Sequence, residues 1–290
     1  MKTLSICVAL VLLSSVAASQ EKTGSAKQTG TTMTTLQNKS NLPPDEAGAL
    51  AALNSSPRHG EWVDVAYGKT PIRSFVVYPE RSTKAGVVIV IHEIYGASDW
   101  IRGVADQLAK DGFIGIVPDL ISGMGPKGGG TESIASRDSV VRLIRGLSAE
   151  ETFKRLNAVR AYAMKIPAGN RKIGTLGFCW GGGMSFGYAC AQSGLDAAVV
   201  FYGVSPDSNQ ISKLNAPVLG NYGADDARVD ATVEPAAAIA KKLGKPFVYE
   251  MYEGAGHGFL RQQQDRDGAN LRATEKSWPK TVEFLRKNLE

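Results

Sequence analysis

The chain has 290 residues, of which 43% are hydrophobic and 21% are charged, and its formal net charge is +5. That length and composition are ordinary for a globular protein built from one large domain or two small ones. The basic residues are interspersed with acidic ones and form no stripe with aromatic residues, so we expect no nucleic-acid partner. The small positive excess favours, at most, a weak attraction of anionic small molecules.

The N-terminus has the pattern of a secretory signal peptide at residues 1–18. Lys2 gives it a basic start, Leu4 to Val16 form an apolar core, and residues 16–18 are small enough for cleavage. The apolar run is too short to span a bilayer, so no membrane span is expected. We therefore predict an exported protein, either periplasmic or secreted.

Residues 19–57 are predicted to form a flexible linker that contains one short helix. Ser19 to Asn41 is rich in small and polar residues and lacks apolar periodicity. Pro43 and Pro44, followed by two acidic residues, signal the start of a helix that is predicted to continue to Leu53. The folded domain is accordingly expected to begin at residue 58.

From residue 58 to residue 290, predicted strands alternate with predicted helices. Gly86 to His92 is continuously apolar, as is typical of a parallel strand covered on both faces, whereas the first two strands resemble an antiparallel edge pair. The glycine-rich residues 119–139 are expected to form an irregular loop near the ligand-binding edge. The pattern predicts an α/β domain with a doubly wound, mostly parallel sheet of about eight strands flanked by helices. The strands are expected at residues 62–65, 72–78, 86–92, 113–118, 173–178, 196–203, 217–222 and 247–252, and the helices at 99–110, 149–164, 184–191, 233–243 and 274–289.

A cysteine stands where a catalytic serine would be expected. Residues 177–181 read Gly-Phe-Cys-Trp-Gly, which is the nucleophile-elbow pattern Gly-x-Ser-x-Gly with Cys179 at its centre. The flanking residues must be small because strand and helix close tightly around a strained turn. The N-terminus of the following helix would favour the thiolate form of Cys179, although a glycine-rich bend with an inert buried cysteine is the alternative. Cys190 is too distant along this helix for a disulfide and is expected in the core.

The partners of such a nucleophile follow it in the order acid, then histidine, each after a later strand. Asp225 and Asp226 follow the strand at 217–222, and Asp226 fits the spacing from Gly223 better, with Asp225 as the alternative. His257 follows the last predicted strand and lies between two glycines. A lone histidine often has a structural role, but this position favours catalysis.

Together these segments resemble the dienelactone hydrolase family. The resemblance covers the whole predicted domain and implies that Cys179, Asp226 and His257 form a triad. It also implies that Glu93 holds the resting thiol and is displaced when substrate binds, whereas the alternative for Glu93 is an ordinary ion pair or loop hydrogen bond. The backbone N–H groups of Trp180 and Ile94 would then form the oxyanion hole. The residues that carry the resemblance are His92-Glu93-Ile94-Tyr95-Gly96, Gly177-Phe178-Cys179-Trp180-Gly181-Gly182, the turn at Asp226, and Gly256-His257-Gly258-Phe259.

The resemblance says less about the substrate. It implies that Arg261, four residues after the histidine, contacts a substrate carboxylate, although an ordinary solvated arginine fits the sequence nearly as well. A second substrate-binding arginine would be Arg137 or Arg142, and the sequence does not distinguish them. Tyr202, at the end of a strand, would either line the pocket or simply pack.

We therefore expect a hydrolase that cleaves a small ester or lactone, of the dienelactone kind, through a thioester acyl-enzyme. The alternatives are a broader carboxylesterase or thioesterase, and a non-catalytic binding protein with the same fold. No metal or other cofactor is expected, because three scattered histidines give no ligand spacing and no Gly-x-Gly-x-x-Gly opens a helix after the first buried strand. The expected partner is the small-molecule substrate alone, and the protein is expected to be a monomer.

Overall fold

A computed structural model of the protein describes residues 41–290. The predicted signal peptide (residues 1–18) and residues 19–40 of the predicted linker lie outside the described residues. The strands are β1 (Gly60–Val65), β2 (Ile72–Val77), β3 (Ala85–Ile91), β4 (Ile114–Pro118), β5 (Gly169–Phe178), β6 (Ala197–Phe201), β7 (Val218–Gly223) and β8 (Phe247–Tyr252). The α-helices are α1 (Ala49–Ser55), α2 (Asp99–Lys110), α3 (Arg137–Gly146), α4 (Ala149–Ala163), α5 (Trp180–Ala191), α6 (Ser208–Ile211), α7 (Ala227–Lys242) and α8 (Ala269–Leu289), with short 3-10 turns at Pro126–Gly128 and Thr131–Ser133.

The eight strands form one sheet in the order β1-β2-β4-β3-β5-β6-β7-β8. β2 runs antiparallel to both β1 and β4, and the remaining neighbours are parallel. The predicted α/β architecture is confirmed, including the antiparallel pair at one edge. Because the carboxyl ends of parallel strands meet at one edge of a sheet, the loops after β3, β5, β7 and β8 share that edge.

The central strands are apolar because helices cover both faces of the sheet. Every residue of β3 is buried, and its side chains alternate between two hydrophobic clusters on opposite faces. One cluster includes residues of α4 and α5, and the other includes residues of α2 and α8. This is the arrangement in which a continuous apolar run becomes a buried parallel strand.

Several helices depart from the predicted bounds, and α8 begins at Ala269 rather than at residue 274. α3 (Arg137–Gly146) begins inside the predicted irregular loop and continues over residues 140–146, for which no helix was predicted, and α7 begins at Ala227 rather than at residue 233. α5 begins at Trp180 rather than at residue 184. Glycines 181–183 have low intrinsic helix propensity, so the sequence favours a later start. The packing of α5 against β5 and β6 stabilises the helical conformation of these glycines.

Residues 41–57 belong to the predicted linker, and the structure shows part of that segment packed on the domain. Leu42 and Pro43 are buried. The Trp100 indole N–H donates to the carbonyl of Pro44 at 3.1 Å, and the Gln263 amide donates to the carbonyl of Pro43 at 2.9 Å. Ala49, at the start of α1, is fully buried. These long-range contacts involve backbone carbonyls, which composition does not reveal.

Among residues 41–290, no helix combines the length and the apolar character needed to cross a bilayer.

Candidate active site

Cys179 lies on a strained turn between β5 and α5. Its backbone has φ 55° and ψ −117°, a conformation that L-residues rarely adopt. Glycine is required on both sides, since a Cβ on Gly177 would overlap the carbonyl of Gly181 and a Cβ on Gly181 would overlap the carbonyls of Ile91 and His92. The turn therefore presents the Cys179 side chain at the carboxyl edge of the sheet, as the sequence predicts.

Gly181→Ala should lower the free energy of unfolding by at least about 1–3 kcal/mol, because the new methyl group meets backbone that has no room to move. The reactivity of the Cys179 thiol should change with it, since the overlap displaces the turn that holds Cys179. Urea unfolding and the rate of alkylation of Cys179 by iodoacetamide measure the two effects. Gly146→Ala is the matched control, because a Cβ there meets no atom within 4 Å. Equal unfolding free energies for the two variants would contradict this account of the turn.

His257 connects the sulfur of Cys179 to a carboxylate. Its Nε2 lies 3.0 Å from Cys179 Sγ, and its Nδ1 lies 2.5 Å from Asp226 Oδ2. Asp226 follows β7 and is buried, while its neighbour Asp225 points elsewhere and pairs with Arg266 at 2.7 Å. Of the two acids that the sequence left open, Asp226 is the one that contacts the histidine.

Two hydrogen bonds favour the protonated form of the His257 imidazole. Burial alone would lower the pKa of His257, but the hydrogen bonds to Asp226 and Cys179 outweigh it and raise the pKa to about 10. An imidazolium at hydrogen-bonding distance from a sulfur stabilises the thiolate. The arrangement therefore suits a cysteine nucleophile with a histidine that can give and take a proton.

Glu93 contacts an arginine rather than the thiol. Its Oε2 accepts from Arg261 Nε at 2.8 Å, and burial raises the pKa of the Glu93 carboxyl while Arg261 opposes that rise. Within residues 41–290, the hydrogen-bond partner of Cys179 Sγ is His257. The pairing of Glu93 with the resting thiol, which the resemblance implied, is therefore not the arrangement seen here.

The peptide between Glu93 and Ile94 is held by His92, whose role the sequence reasoning missed. Leu120 N–H donates to His92 Nε2 at 3.3 Å, so Nδ1 carries the proton and donates to the carbonyl of Glu93 at 2.7 Å. Burial lowers the pKa of His92, which keeps the ring neutral for these roles. Because a trans peptide points its N–H opposite its carbonyl, this hydrogen bond also orients the Ile94 N–H.

Trp180 supplies the other amide that the sequence predicts for an oxyanion hole. It is the first residue of α5, so its N–H has no partner inside the helix. The ring of Trp180 stacks on His92, with centroids 5.7 Å apart and an interplanar angle of 19°. One histidine therefore contacts the segments that carry both predicted oxyanion amides.

The predicted substrate-binding residues lie in different surroundings. Tyr202 is fully buried, packs edge-on against His257 with ring centroids 5.2 Å apart, and has a pKa raised by burial and by Glu93. Arg261 lies over the ring of Tyr95, as does Arg137. Arg142 is exposed on α3. The structure thus brings Arg137, of the two open candidates, to the neighbourhood of Arg261.

Glu46 is a further residue of this neighbourhood that sequence reasoning did not identify. It precedes α1, and its carboxylate is paired with both Arg261 and Arg137. It lies 215 positions before Arg261, and no motif connects the two. Within the described part of the chain, no group of three or more histidine, cysteine, aspartate or glutamate residues is arranged to hold a metal ion.

Comparison with known proteins gives consistent matches. The model of the dienelactone hydrolase family matches residues 72–289. A provisionally named carboxymethylenebutenolidase from Saccharolobus solfataricus is 29% identical over 255 residues, which cover 74% of this chain and 94% of the relative. A carboxymethylenebutenolidase from Pseudomonas putida is 28% identical over 183 residues, which cover 61% of this chain and 76% of the relative. The structure of a provisionally assigned dienelactone hydrolase from Klebsiella pneumoniae superposes with a TM-score of 0.69 at 24% identity, covering 79% of this chain and 99% of that one.

Proposed function

The chain belongs to the dienelactone hydrolase family, and on that basis we propose that it hydrolyses a small ester or lactone with Cys179 as nucleophile. The observation that carries the proposal is the position of His257, which lies within hydrogen-bonding distance of both the Cys179 sulfur and the Asp226 carboxylate. The Pseudomonas putida relative is named for the cleavage of carboxymethylenebutenolide, a lactone. A lactone ring is therefore the first substrate feature that we expect for this chain.

The first half of the reaction forms a thioester. The Cys179 thiolate adds to the substrate carbonyl carbon, and the oxygen that becomes negative is stabilised by the N–H groups of Trp180 and Ile94. The tetrahedral intermediate then collapses, the carbon–oxygen bond to the alcohol part breaks, and the imidazolium of His257 gives its proton to the departing oxygen. The Asp226 carboxylate keeps the ring oriented and stabilises its charge.

The second half releases the acid. The now neutral His257 takes a proton from a water molecule, and the resulting hydroxide adds to the thioester carbon. The carbon–sulfur bond breaks, the product leaves as a carboxylic acid, and the thiolate–imidazolium pair is restored. In a lactone the alcohol part stays attached through the ring, so a single hydroxy acid is the product.

A hydrolysis screen tests this proposal. We expect turnover of short p-nitrophenyl esters and of five-membered unsaturated lactones by the wild-type chain, and loss of both after alkylation of Cys179 with iodoacetamide. Activity on long acyl chains or acyl thioesters, without lactone hydrolysis, would instead favour a broad carboxylesterase or thioesterase. Absence of turnover on every ester, thioester and lactone in the screen would contradict the proposal.

The pH dependence of kcat/KM gives a second test, because it reports groups of the free enzyme. His257 has a pKa raised to about 10, so the proton that the leaving group needs is lost as the pH rises through that value. We expect kcat/KM to fall on an alkaline limb near pH 10. Asp226→Asn removes a negative charge that helps to raise the pKa of His257, so its alkaline limb should lie at lower pH. An alkaline limb that does not move would contradict the assignment.

We further propose that the chain is exported and cleaved after residue 18, on the basis of the basic, apolar and small-residue sequence at positions 1–18. Mass spectrometry of the protein from culture supernatant and periplasm would test this. A mature chain that retains Lys2 would contradict it.

A further inference from the structure

Arg261 is already engaged by two carboxylates. Glu93 accepts from its Nε at 2.8 Å, and Glu46 accepts from its Nη1. The Arg261 side chain is 12% exposed and that of Glu93 is 4% exposed, whereas the side chain of Glu46 is 45% exposed. Glu93 therefore pairs with the buried side of the Arg261 guanidinium, and Glu46 covers the side that faces solvent.

Glu46 is held in this position by the backbone as well as by charge. Its N–H donates to the carbonyl of Arg261 at 3.0 Å. On the preceding residue, Asp45 Oδ1 accepts from Gly48 N–H at 2.9 Å and Oδ2 accepts from the Gln264 amide at 3.0 Å. Together with the contacts of Pro43 and Pro44 to the domain, these bonds fix the segment, so the carboxylate of Glu46 is held beside Arg261.

Two arginines and two glutamates form a cluster with no net charge at this place. Arg137 Nη2 donates to Glu46 Oε1 at 3.1 Å, so the two arginines face the two carboxylates of Glu46 and Glu93. The group borders an open depression of about 320 Å³ beside Asp45 and residues 262–265, so small solutes can reach it. Glu46 also precedes residues 72–289, the range that the family model matches.

We infer that Glu46 determines the charge preference of the site. Its carboxylate occupies the side of Arg261 that a substrate carboxylate would otherwise bind, so anionic substrates are disfavoured relative to uncharged ones. A substrate carboxylate that approaches Arg261 must displace Glu46 or lie beside it. Displacement breaks the ion pair between Glu46 and Arg261, and a position beside Glu46 brings two negative charges together, so both are unfavourable. An uncharged ester meets no such penalty. The inference rests on the proposed function for its substrate class, but its charge selection can be measured without ester hydrolysis.

Alkylation of Cys179 provides that measurement. Iodoacetate and iodoacetamide form the same carbon–sulfur bond and release the same iodide, but only iodoacetate is negatively charged. We expect Glu46→Gln to raise the ratio of the iodoacetate rate to the iodoacetamide rate by about tenfold, the size of one charged hydrogen bond. The rates are read by mass spectrometry on the peptide that contains Cys179, and Cys179→Ala gives the background.

Ester hydrolysis provides the parallel measurement. The ratio of kcat/KM for mono-p-nitrophenyl glutarate, which is anionic, to that for p-nitrophenyl butyrate should rise by a similar factor in Glu46→Gln. Because Glu46 is nearly half exposed, the increase should shrink as sodium chloride is raised from about 0.05 to 1 M, where the screening length falls to about 3 Å. A purely structural role of Glu46 would change both substrates alike and would not depend on salt.

Two variants complete the test. Asp45→Asn removes an equal charge from the adjacent position without touching Arg261. The asparagine oxygen can still accept from the Gly48 N–H, and the Gln264 amide can turn to accept from the new NH2 group, so the segment stays fixed. Both ratios should therefore stay within about twofold of wild type. Arg137→Gln leaves Glu46 with one cation fewer, so both ratios should fall. Thermal melting establishes that each variant is folded.

The outcomes separate the two proposals. Unchanged ratios in folded Glu46→Gln, or an equal increase in Asp45→Asn, would overturn the inference even if esters are hydrolysed. A tenfold change in the alkylation ratio without hydrolysis of any ester would support charge selection at this site and contradict the proposed function instead.

Discussion

Cys179→Ala should reduce kcat for ester hydrolysis by at least about 10³-fold, because in the proposed mechanism the Cys179 sulfur forms the acyl-enzyme. Stopped-flow or plate-reader kinetics with p-nitrophenyl acetate would measure the loss. KM should change far less than kcat, since the thiol reacts with the carbonyl and does not anchor the rest of the substrate. Retention of more than a few per cent of wild-type kcat would contradict a cysteine nucleophile.

The matched control is the second free cysteine. Cys190 is buried in α5, and burial raises the pKa of its thiol to about 12, so it is inert at neutral pH. Cys190→Ala should keep nearly full activity, with only a modest loss of stability from the small cavity. Cys179→Ser should also be weak, because a serine hydroxyl stays protonated beside an imidazolium that already carries its proton. Near-wild-type turnover by Cys179→Ser would mean that the site does not depend on a thiolate.

Asp226→Asn should lower kcat by up to about 10⁴-fold, the loss known for the same substitution in a serine triad. Asparagine removes the negative charge that stabilises the imidazolium, and its amide group can hold the ring in the wrong tautomer. The 2.5 Å distance between Asp226 Oδ2 and His257 Nδ1 makes this pair sensitive to both effects. Steady-state kinetics with one ester across a pH series would measure the loss.

Asp225→Asn is the control for that substitution, because it removes the same charge one residue earlier. Asp225 pairs with Arg266, and both side chains are about half exposed, so the ion pair contributes little to stability. We expect kcat/KM within about twofold of wild type. A comparable loss in the two variants would show that the effect comes from the charge of the turn and not from contact with His257.

The two acids also show how far sequence reasoning reaches. Spacing from Gly223 placed both aspartates after β7 and favoured the second, but adjacent residues on a turn point in different directions. Only the backbone conformation of the turn decides which carboxylate faces His257. The same limit applies to Arg137 and Arg142. Both lie on α3, but only the side chain of Arg137 points toward Tyr95 and Glu46.

Glu93 illustrates a different limit. Its position after β3 was predictable, and so was its nearness to the site, but its partner was not. The sequence reasoning offered the thiol or an ordinary ion pair, and the structure has the ion pair with Arg261 at 2.8 Å. A carboxylate pairs with whichever cation the fold brings within range, and an arginine in a loop has the same appearance in sequence whether it is solvated or paired.

Local patterns in the sequence were sufficient for the eight strands, for most of the helices that alternate with them, and for the strained turn at Cys179. These features follow from apolar periodicity and from glycines that only a tight turn requires, and both are properties of neighbouring residues. The tertiary structure alone decided that Glu46 covers Arg261 and that His92 holds the Glu93–Ile94 peptide. Those contacts join segments that are distant along the chain or depend on the direction of a single side chain, and their energies exist only once packing has brought the atoms within hydrogen-bonding distance.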